Sequence, residues 1–104
     1  MEDEKVVIKN VRVEYISTKT DKYDNELIYF KIKDKNIELK FANIVKDGFH
    51  VPWFKSDKGQ HILKVKPKYA KLKELAKDIV ILTDITFNYY KMNDIQGFYV
   101  CSIC

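Results

Sequence analysis

Apolar and polar residues alternate along most of this chain, and the phase of that alternation marks out its elements. In residues 5–16, KVVIKNVRVEYI, Val6 and Ile8 share one parity, whereas Val11, Val13 and Tyr15 share the other. Strict alternation predicts a strand. The change of phase near Lys9–Asn10 predicts one extra residue, a bulge that bends it. Residues 17–25, STKTDKYDN, are a polar loop rich in turn formers. In residues 26–33, ELIYFKIK, Ile28, Phe30 and Ile32 form an apolar face, and Leu27, Tyr29, Lys31 and Lys33 form the other. After a turn at Asp34-Lys35-Asn36, residues 36–44, NIELKFANI, alternate again. Ile37, Leu39 and Phe41 are expected inward, Glu38 and Lys40 outward, in a third strand that pairs with the second as a hairpin.

Residues 46–66 hold two of the three glycines and one of the two prolines. They predict an extra hairpin: a short arm near Phe49–Phe54, a turn at Ser56-Asp57-Lys58-Gly59, and a return strand at His61–Lys66. Leu63 and Val65 would face in, and Ile62, Lys64 and Lys66 would face out. The period then lengthens. In Pro67 to Lys77, PKYAKLKELAK, apolar residues recur at Tyr69, Leu72, Leu75 or Ala76, and Ile79, and a proline stands at the first position. That is the pattern of a helix with one dry stripe. Residues 78–91 return to a long strand with Ile79, Ile81, Thr83, Ile85, Phe87 and Tyr89 on one side. Residues 92–96 form a loop, and Gly97 to Cys104 form a last strand.

The order is long bent strand, strand, strand, helix, long strand, strand. A mainly β chain of 104 residues is one domain by length, and a long bent strand that serves two parts of a sheet is what a small closed barrel needs. The expected fold is a five-stranded Greek-key barrel over residues 1–104, with one helix between strands 3 and 4 and an extra hairpin before that helix.

Composition narrows the setting. At 46% hydrophobic and 13% aromatic the chain is too apolar to be disordered. No apolar run approaches the roughly 20 residues of a membrane-spanning helix, and the start, MEDEK, lacks the basic and apolar parts of a signal peptide. An intracellular, cytoplasmic protein with no membrane partner is the expectation. The net charge is +4, but residues 55–77 carry eight lysines against Asp57 and Glu74, a local +6 that leaves −2 elsewhere. Such concentration points to a polyanion, although lysines on a helix also serve as an ordinary solvated face. Arg12 is the only arginine. Bidentate reading of guanine edges depends mostly on arginine, so a sequence-reading duplex binder is not expected.

This order resembles the OB-fold, a five-stranded Greek-key barrel. Three pieces, GQHILKVK (59–66), DIVILTDITFNYY (78–90) and IQGFYVCSI (95–103), resemble the single-stranded-DNA-binding OB proteins of phages and viruses. In those proteins a glycine opens the final strand and a tyrosine-bearing strand precedes it. The resemblance implies that oligonucleotides lie on the outer face of the second and third strands and on the loops beside it. It also implies a role in DNA replication or recombination. The sequence ends at Cys104 without the acidic tail by which many such proteins recruit partners, so the resemblance does not extend to that route.

Four sets of residues are candidates for chemistry. Tyr29, Lys31, Lys33 and Lys40 project from the outer face of the second and third strands, with Lys64 outward on the return strand. Lys19, Lys22 and Tyr23 lie in the first loop, and residues 91–96 in the last. Aromatic platforms in a basic groove stack bases of any sequence, at about 1–3 kcal/mol per base. The alternative is an ordinary half-buried sheet face, where lysines alternate with apolar residues as a matter of course. The second set is Phe49, Trp53, Phe54, Lys55 and Lys58, which would form either a flap over a strand or a satellite core plug. The third is Cys101 and Cys104 with His50 and His61. Their number suits zinc, but the single C-x-x-C sits on a strand that would point the sulfurs apart, and the histidines are eleven positions apart. Neither a metal nor another cofactor is expected. The fourth is catalytic: Asp84 and Glu38 lie on strands with nothing to pair them, there is no phosphate loop or nucleophile–base pair, and no enzyme is expected.

The expected function is binding of single-stranded nucleic acid, DNA first, with little sequence preference. RNA binding would differ by contacts to the 2′-OH. The alternative is a protein-interaction module on the same barrel, an inhibitor or assembly subunit, with a homodimer formed through edge strands.

Overall fold

A computed structural model describes residues 5–43, 50–72 and 75–104. Its backbone is a curled antiparallel sheet of six strands: β1 (Lys5–Thr20), β2 (Glu26–Ile32), β3 (Trp53–Lys55), β4 (His61–Val65), β5 (Val80–Met92) and β6 (Ile95–Ile103), in the order β3-β4-β2-β1-β5-β6. One α-helix, α1 (Ile37–Ala42), follows β2. The result is a half-barrel rather than a five-stranded closed one, with the helix after the second strand instead of before the fourth.

The long first strand does serve both halves of the sheet. Residues 13–20 pair with β2 and residues 5–14 with β5. Its register slips between Ile8 and Val11, where Asn10 takes φ 59°. Asparagine visits this left-handed region more readily than most residues. The extra residue turns Ile8, Val11 and Val13 all toward the core, as the change of phase predicts. A second slip, between Tyr15 and Ser17, bends β1 again against β2. Period-two faces account for the rest of the interior: Ile28, Phe30 and Ile32 on β2, Leu63 and Val65 on β4, and Ile85 and Phe87 on β5 are all buried.

Residues 36–44 are not a strand. Ile37 and Phe41 stand four apart, a spacing that fits one face of a helix as well as one face of a strand, and both are buried; Leu39, inward in a strand, is 61% exposed. Glu, Leu, Lys and Ala are good helix formers, and Ile37 is the one β-branched residue in the element. Phe41 packs edge-on against Trp53 at 5.1 Å, Phe98 at 5.6 Å and Phe87 at 5.7 Å. The hairpin partner of β2 is therefore β4, not residues 36–44.

The expected helix at 67–77 is a second departure. A 3-10 turn spans Pro67–Tyr69, after which the chain is extended. Ala70 bridges Ile103 in parallel, the Lys71 N–H donates to the Ile103 carbonyl at 2.9 Å, and Lys77 bridges Tyr15. About eleven residues of helix are marginal alone in water, and backbone pairing with β6 and β1 competes successfully. Lys73 and Glu74 lie outside the described residues. The expected loop at 92–96 is shorter: Asn93 and Asp94 alone connect β5 to β6, with Asn93 at φ 54°.

The β6 edge is engaged at both ends. Ala70–Lys71 meets Ile103, and His50 donates its N–H to Gln96 (2.9 Å) and accepts from the Phe98 N–H (3.2 Å). A Cβ on Gly97 would stand 3.0 Å from the His50 carbonyl oxygen, so glycine permits this crossing. No helix among the described residues is long and apolar enough to cross a membrane.

Candidate nucleic-acid interface

Strand pairing fixes which outward side chains meet. Phe54 on β3 faces Ile62 on β4, and Ile62 faces Lys31 on β2. One step along, Lys64 faces Tyr29, and Tyr29 faces Ser17 on β1. The Lys64 Nζ lies 4.9 Å from the Phe54 ring centre and 5.8 Å from that of Tyr29, and the Lys19 Nζ lies 5.3 Å from the other approach to Tyr29. Across four strands the order is thus ring, cation, ring, cation. Each ammonium is held by the aromatic quadrupole, an attraction of about 0.5–1 kcal/mol at exposed sites. Ile62, also of outward parity, is nevertheless buried between its partners Phe54 and Lys31 and lies outside the main core. It gives the row an apolar floor.

The loop between β1 and β2 extends this line. The Asp21 carboxylate accepts from the backbone N–H of Tyr23 (2.8 Å) and Asn25 (2.9 Å), which fixes the turn. The Asn25 bond, against slight desolvation, holds the Asp21 carboxyl below its ordinary 3.8. Tyr23 is 72% exposed, with the Lys22 Nζ 5.1 Å from its ring centre.

The other candidates are placed differently. Trp53 has inward parity opposite Leu63 and is 6% exposed, so it belongs to the core and not to a flap. Phe54, its neighbour, takes the outward place. Phe49 lies outside the described residues. Lys40 is on α1, not on a strand, and its Nζ binds the Asp34 carboxylate at 2.6 Å. Lys55 pairs with Glu38 at 3.0 Å, and Lys33 approaches Glu14 at 3.9 Å. Among the described residues these ion pairs leave Lys19, Lys22, Lys31, Lys58 and Lys64 without a carboxylate partner. Lys58 is in the exposed β3–β4 turn.

Asp84 is neither idle nor catalytic in position. Its carboxylate accepts the Asn10 N–H at 3.0 Å and so satisfies the bulge of β1. His50 and His61 sit on different elements, and Cys101 and Cys104 are half-buried and exposed thiols, with the Ser102 Oγ 3.2 Å from the Cys104 Sγ. The described residues bring no three potential metal ligands together.

Two clefts lie outside the row. One, of about 560 Å³, sits at the β1 bulge and is lined by Asn10, Arg12, Asp34, Lys35, Lys40 and Leu82. Sequence reasoning passed over Arg12 and Lys35; the change of phase at Asn10 was the signal that the chain opens there. The other, about 530 Å³ and mostly apolar, is bounded by Leu72, Ala76, Ile79, Ile81 and Leu82, with Lys71 and Cys104 at hand. Comparison with protein-family models, curated proteins and solved structures finds no match for the chain.

Proposed function

We propose that the protein binds single-stranded nucleic acid, DNA first, without sequence preference, along the outer row of Phe54, Lys64, Tyr29 and Lys19. The observation that carries this reading is the alternation of rings and unneutralised ammonium groups across four adjacent strands. Bases stack on any exposed aromatic face, and ammonium groups at that pitch neutralise the phosphates between them. Lys31 and the Lys22–Tyr23 loop lengthen the track at either side. An OB-like barrel is the finer fold reading. The bent β1 shared by two sheet halves supports it, and the position of α1 departs from it. A role in protecting or presenting single strands during replication or recombination follows from the resemblance.

The test is fluorescence anisotropy with labelled poly-dT. Log K should fall against log salt with a slope of about −0.7 for each phosphate contacted. Tyr29→Ala should weaken binding by about 1–3 kcal/mol without loss of melting temperature. Trp53→Ala should instead cost about 3–5 kcal/mol of stability, the usual loss for a buried large aromatic. Absence of any complex at low salt rejects the reading.

One observation favours a second reading, a protein-interaction module. Ile79, Val80 and Leu82 are half or more exposed around the apolar groove, more than a β-strand start usually shows to water. Leu82→Lys would then abolish partner capture while Tyr29→Ala would not.

A further inference from the structure

The cleft at the β1 bulge has a charge arrangement of its own. Two of its three cations are uncommitted. The Asp34 carboxylate is saturated, by the Lys40 Nζ at 2.6 Å on one oxygen and the Asn36 N–H at 3.0 Å on the other. Burial pushes this carboxyl up, but Lys40, Asn36 and the charge of Arg12 outweigh it and hold it below its ordinary 3.8, so it stays an anion tied to Lys40. Arg12 and Lys35 are exposed, and neither has a carboxylate partner among the described residues. Leu82, 59% exposed, supplies an apolar wall beside them. A volume of about 560 Å³ is within the range of small-ligand sites. Arginine's planar fork matches phosphate oxygens in pairs, and a lysine beside it adds a second point charge.

The backbone connects the cleft to the aromatic row. The Lys33 N–H donates to the Arg12 carbonyl at 2.7 Å, so the end of β2 lies directly against Arg12. Tyr29, Lys31 and Lys33 step outward along β2 toward that point, four residues or about 13 Å of strand.

We propose that this cleft is a second anchor for the same bound strand, taking one phosphate with its nucleoside: Arg12 and Lys35 hold the phosphate and Leu82 covers the sugar or base. The inference rests on the single-strand reading for the source of the phosphate, an internal phosphodiester or a phosphorylated end. It predicts two contact zones, so that strands long enough to reach both bind more tightly than their row contacts alone allow.

The test compares dT3 and dT12, each with and without a 5′-phosphate, on the wild-type chain and on Arg12→Ala/Lys35→Ala. Both side chains are exposed, and circular dichroism melting checks that the variant stays folded. The expected result is about a tenfold loss for dT12, a salt slope shallower by about 1.4 for two lost contacts, and little change for dT3. A further gain from a 5′-phosphate that only the wild type shows assigns the cleft to strand ends; no gain assigns it to the internal backbone. Equal losses for dT3 and dT12, or no loss for dT12, overturn the second anchor while leaving the row intact. If the wild type binds neither oligonucleotide, the single-strand reading fails by itself. A titration with thymidine 5′-monophosphate, followed by the Arg12 side-chain and Lys35 amide resonances, then decides the cleft alone. Shifts abolished in the double variant retain it as a nucleotide-phosphate site, and absence of shifts overturns it.

Discussion

Asn10 and Asp84 illustrate how one residue pair converts a pattern into a shape. An extra residue in β1 leaves a backbone N–H with no ladder partner, and an unpaired amide is costly unless something accepts from it. The Asp84 carboxylate does so at 3.0 Å, and the Asp84 backbone in turn exchanges both hydrogen bonds with Cys104. The carboxylate thus ties the bulge of β1 to the β5–β6 end of the sheet. Asp84→Ala should cost about 1–3 kcal/mol in urea unfolding, whereas Asp84→Asn, which keeps the acceptor, should lose markedly less. Equal losses would remove the hydrogen bond from the account. At Gly97 the constraint is steric. Alanine would press on the His50 carbonyl at 3.0 Å and the Tyr90 hydroxyl at 2.9 Å. The tyrosine can move and the backbone crossing cannot do so cheaply. Gly97→Ala should therefore lower the melting temperature, with serine worse than alanine because it is larger.

At the scale of elements, α1 is held by apolar and ionic contacts that respond differently to pH. Ile37 and Phe41 are buried, while Asp34 before the helix binds Lys40 and Glu38 within it bridges Lys55 at 3.0 Å and His61 at 3.6 Å. Lys55 in particular holds the Glu38 carboxyl below its ordinary 4.5, and Asp34 too lies below 3.8. For a carboxyl lowered in the folded state, the stabilisation is complete above its unfolded value and disappears as pH falls through its folded one. Acid should therefore loosen α1 below about pH 4.5, before the sheet unfolds, and Trp53 fluorescence, which senses Phe41, should change before the far-ultraviolet dichroism. The double variant Asp34→Asn/Glu38→Gln should erase the separation between the two signals. This helix was the element least legible in the sequence. Ile37, Leu39 and Phe41 alternate as in a strand, and only the burial of the first and last with exposure of the middle one distinguishes a helix. The extended path after Pro67 was hidden for the opposite reason: its local pattern is helical, and its true partners, Ile103 and Tyr15, are distant in sequence. Strand faces and the bulge were legible because period two and a change of phase are local. The same parity placed Tyr29 and Lys31 outward, but one residue of register separates Trp53 from Phe54, and no local signal in that short arm told which would face the core.

Taken whole, the molecule is two half-sheets joined by β1. The β2, β4 and β3 strands hang from its C-terminal part, and β5 and β6 from its N-terminal part. Beyond that strand, the halves meet through Phe41 and through short crossings at His50–Gly97 and Ala70–Ile103. Opening β1 therefore means global unfolding, whereas β3, three residues at the sheet's edge, opens at little cost. The proposed row crosses this gradient. Lys64 and Tyr29 sit on interior strands, and Phe54 sits on the loose edge. Such an arrangement keeps one stacking platform fixed and lets the other adjust to the spacing of successive bases. Hydrogen exchange should show amides around Val11 and Val13 protected to the level of global stability, and Trp53–Lys55 exchanging by local opening. Saturating dT12 should slow the β3 amides through Phe54 and slow those of central β1 only by the overall gain in stability. Uniform slowing of all strands would place the bound ligand elsewhere than on this edge, and with it the row's claim to the bases would go.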